Sequence, residues 1–167
     1  MNRQSTEFVC PHCGESHEGF PTDYGYSLPD EVWALPPKER ESSAWHTPDL
    51  HQMGERFFIR CILRVPLSNP SDYFAWGLWA EVTQAVFEHY VSIYDQDSDA
   101  ESPAHIANQL PGYPPLLNHP VSIRFGSATE RPTLWFPPDS HHQLAVEQRQ
   151  GLTPVRHHEL LEAIGFV

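Results

Sequence analysis

Residues 57–65 have the sequence FFIRCILRV and residues 73–82 have the sequence YFAWGLWAEV, and these two stretches decide the fold. Apolar residues alternate along both stretches, as they do in strands, whose successive side chains point to opposite faces of a sheet. One face of each strand is therefore expected in the core, formed by Phe57, Ile59, Cys61, Leu63 and Val65 and by Phe74, Trp76, Leu78, Ala80 and Val82. Prolines and an asparagine between the stretches predict a turn. The pair is expected to form an antiparallel hairpin.

The residues after this hairpin predict helices and one loop. Thr83 is a suitable N-cap for a helix with an apolar stripe that reaches Tyr94. Residues 95–103 are acidic and contain almost nothing to bury, which favours a surface loop. Residues 104–110 are expected to form a short helix that ends before a proline-rich turn.

The C-terminal third of the chain predicts two more strands and two helices. Alternation over residues 121–125 and again over 134–136 predicts the strands. Helices are expected over residues 141–150 and 154–164, separated by Gly151 as a C-terminal stop. The order of elements predicts an α+β fold, with an antiparallel sheet packed with helices and an N-terminal zinc-knuckle segment.

Length and charge limit the possible functions. The 167 residues suit one domain, with a zinc-binding segment over residues 8–52 and an α+β core over residues 53–167. A net charge of −12 disfavours binding to nucleic acid or to an anionic membrane surface. The polar N-terminus lacks the apolar core of a secretory signal, and no apolar run approaches the ~20 residues that span a bilayer. A cytoplasmic location is expected.

The sequence Cys10-Pro11-His12-Cys13-Gly14 carries the strongest chemical signal. Two cysteines at this spacing on a tight turn direct both thiolates at one point, and thiolates suit Zn²⁺. A tetrahedral site needs two further ligands, for which His17 and His51 are the nearest candidates. Weaker candidates are His46, His12 and Cys61. The predicted cofactor is therefore one structural zinc ion held by Cys10, Cys13, His17 and His51.

Three other interpretations of the cysteine pair remain open, of which the simplest is two free cysteines that bind no metal. A redox motif of the thioredoxin type normally opens a helix, whereas here a glycine and a polar turn follow. A catalytic zinc keeps one position open for water and commonly has a carboxylate nearby, for which Glu15, Glu18 and Asp49 are candidates. Two thiolates make zinc a weaker Lewis acid, which favours the structural role.

Other polar residues carry weaker expectations. The adjacent pairs His141-His142 and His157-His158 are expected to be solvated surface residues. Arg60 lies on the second face of the first strand, where it is expected either to pair with Asp49 or Glu81 or to be solvated. The common hydrolase, protease and nucleotide-binding motifs are absent from the sequence, so no catalytic constellation is recognised.

Several segments together resemble a bacterial family known as domain of unknown function 2199. In chain order they are Phe8-x-Cys10-x-x-Cys13-Gly14-x-x-His17, Asp49-x-His51, Arg56-Phe57-Phe58-Ile59-Arg60, Phe74-x-Trp76-Gly77-x-Trp79, Leu110-Pro111-x-Tyr113 and His142-Gln143-Leu144-Ala145-x-x-Gln148-x-x-Gly151. The resemblance covers nearly the whole chain. In that family a cysteine commonly stands where this sequence has His51, and exchange of one ligand type for another is what a metal site tolerates. The resemblance implies no activity.

Two functions are compatible with these observations. The first is a small cytoplasmic binding or interaction module with a structural zinc, whose acidic surface attracts a basic protein partner. The second is a zinc-dependent hydrolase acting on a small molecule in a tryptophan-lined pocket. A full set of four protein ligands would favour the module, and a metal-bound water facing a cleft would favour the enzyme.

Overall fold

The structure is a computed structural model that describes residues 7–9, 14, 16–18, 23–67 and 73–166. The strands within these ranges are β1 (Glu7–Val9), β2 (Ser16–Glu18), β3 (Asp23–Gly25), β4 (Ala44–His46), β5 (Leu50–Met53), β6 (Arg56–Pro66), β7 (Tyr73–Val82), β8 (Ser98–Ile106), β9 (Pro120–Gly126) and β10 (Thr133–Trp135). The helices are α1 (Asp30–Trp33), α2 (Pro37–Ser43), α3 (Gln84–Ser92), α4 (Gln143–Gln150) and α5 (Pro154–Ala163). None of these helices is both long and apolar enough to cross a membrane.

The predicted hairpin is confirmed as the pair β6 and β7. The two strands run antiparallel in a continuous register from Phe57 opposite Val82 to Pro66 opposite Tyr73. All ten residues expected on the inner face are buried. This hairpin supplies much of the core because aromatic and branched side chains fill the pleated surface without polar groups that need partners.

The sheet closes into a five-stranded barrel to which three further strands are added. Neighbouring strands pair in the order β7, β8, β9, β10, β6 and back to β7. Strand β3 pairs with the first part of β7, while β5 and then β4 extend the sheet from the first part of β6. Most pairs are antiparallel, and β3–β7 and β6–β10 are parallel. Helices and largely antiparallel strands agree with an α+β fold.

One edge of β6 is shared between two strands. Its first residues pair with β5, ending at Ile59 opposite Leu50, and Ile62 then pairs with Thr133 of β10. The backbone N–H of Arg60 donates to Asp49 and that of Ile62 donates to Pro132 at 2.8 Å. The two neighbouring strands therefore diverge beside Arg60, which creates a fork in the sheet.

The predicted helices flank the barrel. The Thr83 hydroxyl accepts a hydrogen bond from the Val86 N–H at 3.3 Å, which confirms the N-cap of α3. Gly151, with φ of 86°, ends α4, and the Thr153 hydroxyl caps α5 by accepting from the Arg156 N–H at 3.1 Å. The C-terminal helices thus begin and end within about two residues of their predicted limits.

The expectations for residues 95–103 and 104–110 were wrong. Ser98–Ile106 forms β8, which pairs with β9 and, at its end, with β7. Its last residues alternate in burial, with Ala104 and Ile106 inside the barrel. Glu101 lies opposite Arg124 on β9 and forms an ion pair with it, so the acidic segment pairs as an outward-facing strand instead of remaining a loop.

Candidate metal centre

His51 is the predicted metal ligand whose side chain the structure describes. It lies on β5, opposite His46 of β4 and Phe58 of β6. The residue is 1% exposed, and neither ring nitrogen has a hydrogen-bond partner among the residues that the structure describes. Buried polar atoms are nearly always satisfied, because leaving one unpaired costs about 1–3 kcal/mol. The buried nitrogens of His51 therefore require a partner that the described part of the chain does not supply.

A narrow groove of about 200 Å³ opens beside this residue, and we call it the histidine groove. The described residues that line it are Leu28, Val32, Pro37, Arg40, Glu41, His46 and His51. The His46 ring stacks on His51 with centroids 5.6 Å apart, and the Trp79 ring meets His51 edge-on at 6.2 Å. Burial, assisted by His46, lowers the pKa of His51. The neutral imidazole favoured by this site is the form that binds metals.

The pairing of His46 with His51 follows from a short turn. The Thr47 N–H donates to the Leu50 carbonyl at 2.8 Å, and the Thr47 hydroxyl accepts from the Leu50 N–H at 3.0 Å. This turn brings the two histidines opposite each other although five positions separate them. The threonine, proline and aspartate between them favour a turn. This signal in the sequence could have placed His46 among the preferred candidates instead of the weaker ones.

The other three predicted ligands are less completely placed. Cys10 and Cys13 lie outside the described residues. His17 lies on β2, whose backbone pairs antiparallel with β1 so that His17 is opposite Phe8. Gly14 has a φ of 73°, a left-handed conformation that glycine adopts without strain. The sequence of the cysteine pair thus connects two strands whose backbones are hydrogen-bonded to each other.

Cys61 is confirmed as a core residue. It is fully buried on the inner face of β6, and its thiol donates to the Ile59 carbonyl at 3.3 Å. Burial raises the pKa of the Cys61 thiol, so it remains protonated and cannot readily act as a thiolate ligand. Within the described part of the chain, no group of three or more His, Cys, Asp or Glu side chains is arranged to hold a metal ion.

Asp49 joins the two strands at the fork. Its carboxylate accepts one hydrogen bond from the Tyr94 hydroxyl at 2.7 Å and one from the Arg131 Nε at 2.8 Å. Burial alone would raise the pKa of Asp49, but these two hydrogen bonds and the positive charge of Arg131 hold it below its ordinary value. Sequence reasoning missed both partners, which lie 45 and 82 positions away.

The carboxylate partners expected for Arg60 are bound to other groups. Both oxygens of Asp49 are engaged as described, and Glu81 accepts two hydrogen bonds from Arg56 at 2.8 and 2.6 Å. Arg60 forms no ion pair or side-chain hydrogen bond with a described residue, and its Nε is buried without a partner. Of the two alternatives, an ion pair with Asp49 or Glu81 is therefore not formed, although the negative charge of Asp49 still acts on Arg60.

The adjacent histidine pairs are less exposed than expected. His157 and His158 are both buried, and the His157 ring packs against Phe74 with centroids 6.3 Å apart. His142 is the N-cap of α4: its Nδ1 accepts from the Leu144 N–H at 3.1 Å, and its Nε2 lies 3.1 Å from the Pro115 carbonyl. These three histidines are structural, and of the four only His141 is exposed as expected.

His157 provides a testable pH dependence. Burial and the neighbouring His158 lower the pKa of His157 from its ordinary value of 6.5 to about 4. The unfolded chain therefore binds this proton first, so stability is fully present above pH 6.5 and is lost as the pH falls towards 4. The full loss is about 3 kcal/mol, at about 1.4 kcal/mol per pKa unit.

Urea unfolding of wild type and His157→Gln between pH 7 and pH 4 measures this loss, and the variant is expected to show a flatter dependence. His105→Gln changes an exposed histidine and should keep the wild-type slope. Equal slopes in wild type and His157→Gln would contradict the assignment.

One family model matches most of the chain. Residues 9–152 match the model of the family DUF2199, described as an uncharacterized protein conserved in bacteria. The chain belongs to this family. The match begins at the predicted cysteine knuckle and ends after α4, so it includes Cys10, Cys13, His17 and His51 as well as the barrel. Neither a curated protein nor a solved structure matches the chain.

Proposed function

We propose that this DUF2199 protein binds one zinc ion through Cys10, Cys13, His17 and His51, and that the zinc attaches the N-terminal segment to the outer face of the barrel. The observation that carries the proposal is the buried His51 imidazole, whose two nitrogens have no partner among the described residues. A bond to zinc would satisfy one nitrogen, and an acceptor in the adjoining shell would satisfy the other. Thiolate and imidazole ligands are a combination that zinc prefers.

The role proposed for this zinc is structural. Two thiolates reduce the Lewis acidity of the ion, and four protein ligands leave no position for a reacting water. Metal binding to ligands that are distant in sequence contributes directly to folding, since the unfolded chain has no preformed site. Hydrolysis by a zinc-bound water remains the alternative, and no contact of the described residues favours it.

The proposed biological role is that of an interaction module with a basic protein partner. The net charge of −12 supports it, because an acidic surface accelerates encounters with basic proteins. Trp33 and Trp45 also remain 48% and 55% exposed, and exposed tryptophans are enriched at interfaces. The barrel would act as the rigid support for this surface.

Zinc content tests the metal proposal. Wild-type protein is expected to contain about one zinc per chain by elemental analysis, and Cys10→Ser is expected to lose it because three ligands hold zinc poorly. Cys61→Ala is the matched control, since it removes the remaining one of three cysteines from the core without touching the proposed site. Wild-type protein without zinc, or equal zinc in Cys10→Ser and Cys61→Ala, would contradict the proposal.

A further inference from the structure

A second groove, of about 510 Å³, lies on the outer face of the sheet beside His46, and we call it the arginine groove. Its polar lining consists of Arg60, His46, Ser27 and Thr47. Its apolar lining consists of Trp33 with a leucine and a proline. No carboxylate is found among the described residues that line it, although the chain has 22 Asp and Glu residues. Arg60 is therefore the one permanently charged side chain among the described residues that line the groove.

Arg60 differs from the other arginines that the structure describes. Each of the others forms an ion pair with a carboxylate or donates to a backbone carbonyl, namely Arg40, Arg56, Arg64, Arg124, Arg131, Arg149 and Arg156. Arg60 has neither kind of partner among the described residues, and its buried Nε is unpaired within them. Its pKa is lowered by burial and by the charge of Arg131, and these two effects outweigh the nearby negative charge of Asp49, which raises it. A further anion beside Arg60 would favour its charged form.

Trp33 forms a fixed wall of this groove. It is the last residue of α1, which is held to the barrel by Asp30: the Asp30 carboxylate accepts from the Asn108 amide at 2.9 Å and from the Gln109 N–H at 2.8 Å. Asn108 is fully buried and also accepts from the Trp79 N–H at 2.8 Å. Because α1 is anchored in this way, the half-exposed indole is positioned before any ligand arrives, which lowers the entropic cost of binding.

We propose that the arginine groove binds a small organic anion, whose carboxylate or phosphate group pairs with Arg60 and whose planar apolar part packs against Trp33. A guanidinium donates two parallel hydrogen bonds to either group, and such charge-assisted pairs are about twice as strong as neutral ones. Ser27, Thr47 and His46 supply further donors around the same space. This binding does not require the zinc proposed above.

Titration of the ¹⁵N-labelled protein with benzoate and with phenyl phosphate tests the proposal. The indole N–H signal of Trp33, assigned with Trp33→Phe, is expected to shift and saturate with at least one of the two probes. The probe that binds more tightly identifies the preferred anionic group. Benzamide has the same ring without the charge and should cause no saturable shift.

Arg60 variants show whether the shift arises at the proposed site. Arg60→Met is expected to raise the dissociation constant at least about tenfold, the loss of one charge-assisted interaction. Arg60→Lys keeps the charge without the paired geometry and should fall between Arg60→Met and wild type. Arg124→Met removes an arginine that stacks on Trp135, away from the groove, and should bind as wild type does.

Three results would overturn the proposal. They are no saturable shift with either anion, an equal shift with benzamide, and unchanged affinity in Arg60→Met. The indole signals of the other four tryptophans report whether each variant is folded, and zinc content measured in the same samples shows whether the metal proposal fails independently.

Discussion

Arg156→Met is expected to lower the free energy of unfolding by about 3–5 kcal/mol, because it leaves the carboxylate of Glu147 buried without its charge partner. The Arg156 Nε donates to Glu147 Oε1 at 2.6 Å, and the two side chains are only 16% and 10% exposed. The same guanidinium donates to the Gly112 carbonyl at 2.5 Å and lies over the Tyr113 ring. One substitution therefore releases the contacts that hold α4, α5 and the 111–115 turn together.

Urea unfolding measures the effect of Arg156→Met, and two further variants show its cause. Arg124→Met breaks an ion pair in which both side chains are 49% exposed, so a loss below about 1 kcal/mol is expected. The double variant Arg156→Met with Glu147→Leu removes both buried charges and should be more stable than Arg156→Met alone. An equal loss in Arg156→Met and Arg124→Met would show that burial of Glu147 does not matter.

His51→Leu is expected to remove zinc and to destabilise the protein, because the substitution deletes one of four proposed ligands. We expect zinc affinity to fall more than about 100-fold, since changes even in the outer shell of metal sites cost 10–100-fold. By linkage, a 100-fold loss of affinity corresponds to about 2.7 kcal/mol of stability at saturating zinc. Competition with a chelating dye measures the affinity, and thermal unfolding measures the stability.

The sign of the stability change in His51→Leu separates two accounts of this residue. Without a metal, leucine would replace an imidazole whose two buried nitrogens have no partner in the described ranges, and stability should rise. With the metal, stability should fall and zinc should be lost. His105→Gln, at an exposed position on β8, should change neither quantity. A stabilised His51→Leu variant would contradict the ligand role of His51.

The hairpin was predictable because its pattern repeats over nearly twenty residues. Strands β6 and β7 each bury at least every second side chain. That alternation can be recognised without knowing which strands lie beside them. β8 was not predictable in the same way, because the first half of this strand, residues 98–102, consists of charged and small residues. Its pairing depends on Arg124 and on the neighbouring strand β9, which are distant in sequence.

The candidate sites show the same division between local and long-range information. The cysteine pair and His51 were predicted as ligands from local sequence alone, and that assignment stays a prediction. The stacking of His46 on His51 requires the β4–β5 turn, and Arg60 forms no ion pair with Asp49 because Arg131 and Tyr94 occupy that carboxylate. Such competition among side chains from three separate elements has no signal in one sequence.

X-ray absorption at the zinc edge of the purified wild-type protein tests the central claim most directly, because it counts the atoms bound to the metal. Ligation by Cys10, Cys13, His17 and His51 predicts two sulfur atoms at about 2.3 Å and two imidazole nitrogens at about 2.0–2.1 Å. A protein without zinc, or zinc surrounded by oxygen and nitrogen atoms with no sulfur, would contradict the claim that this chain carries a structural zinc.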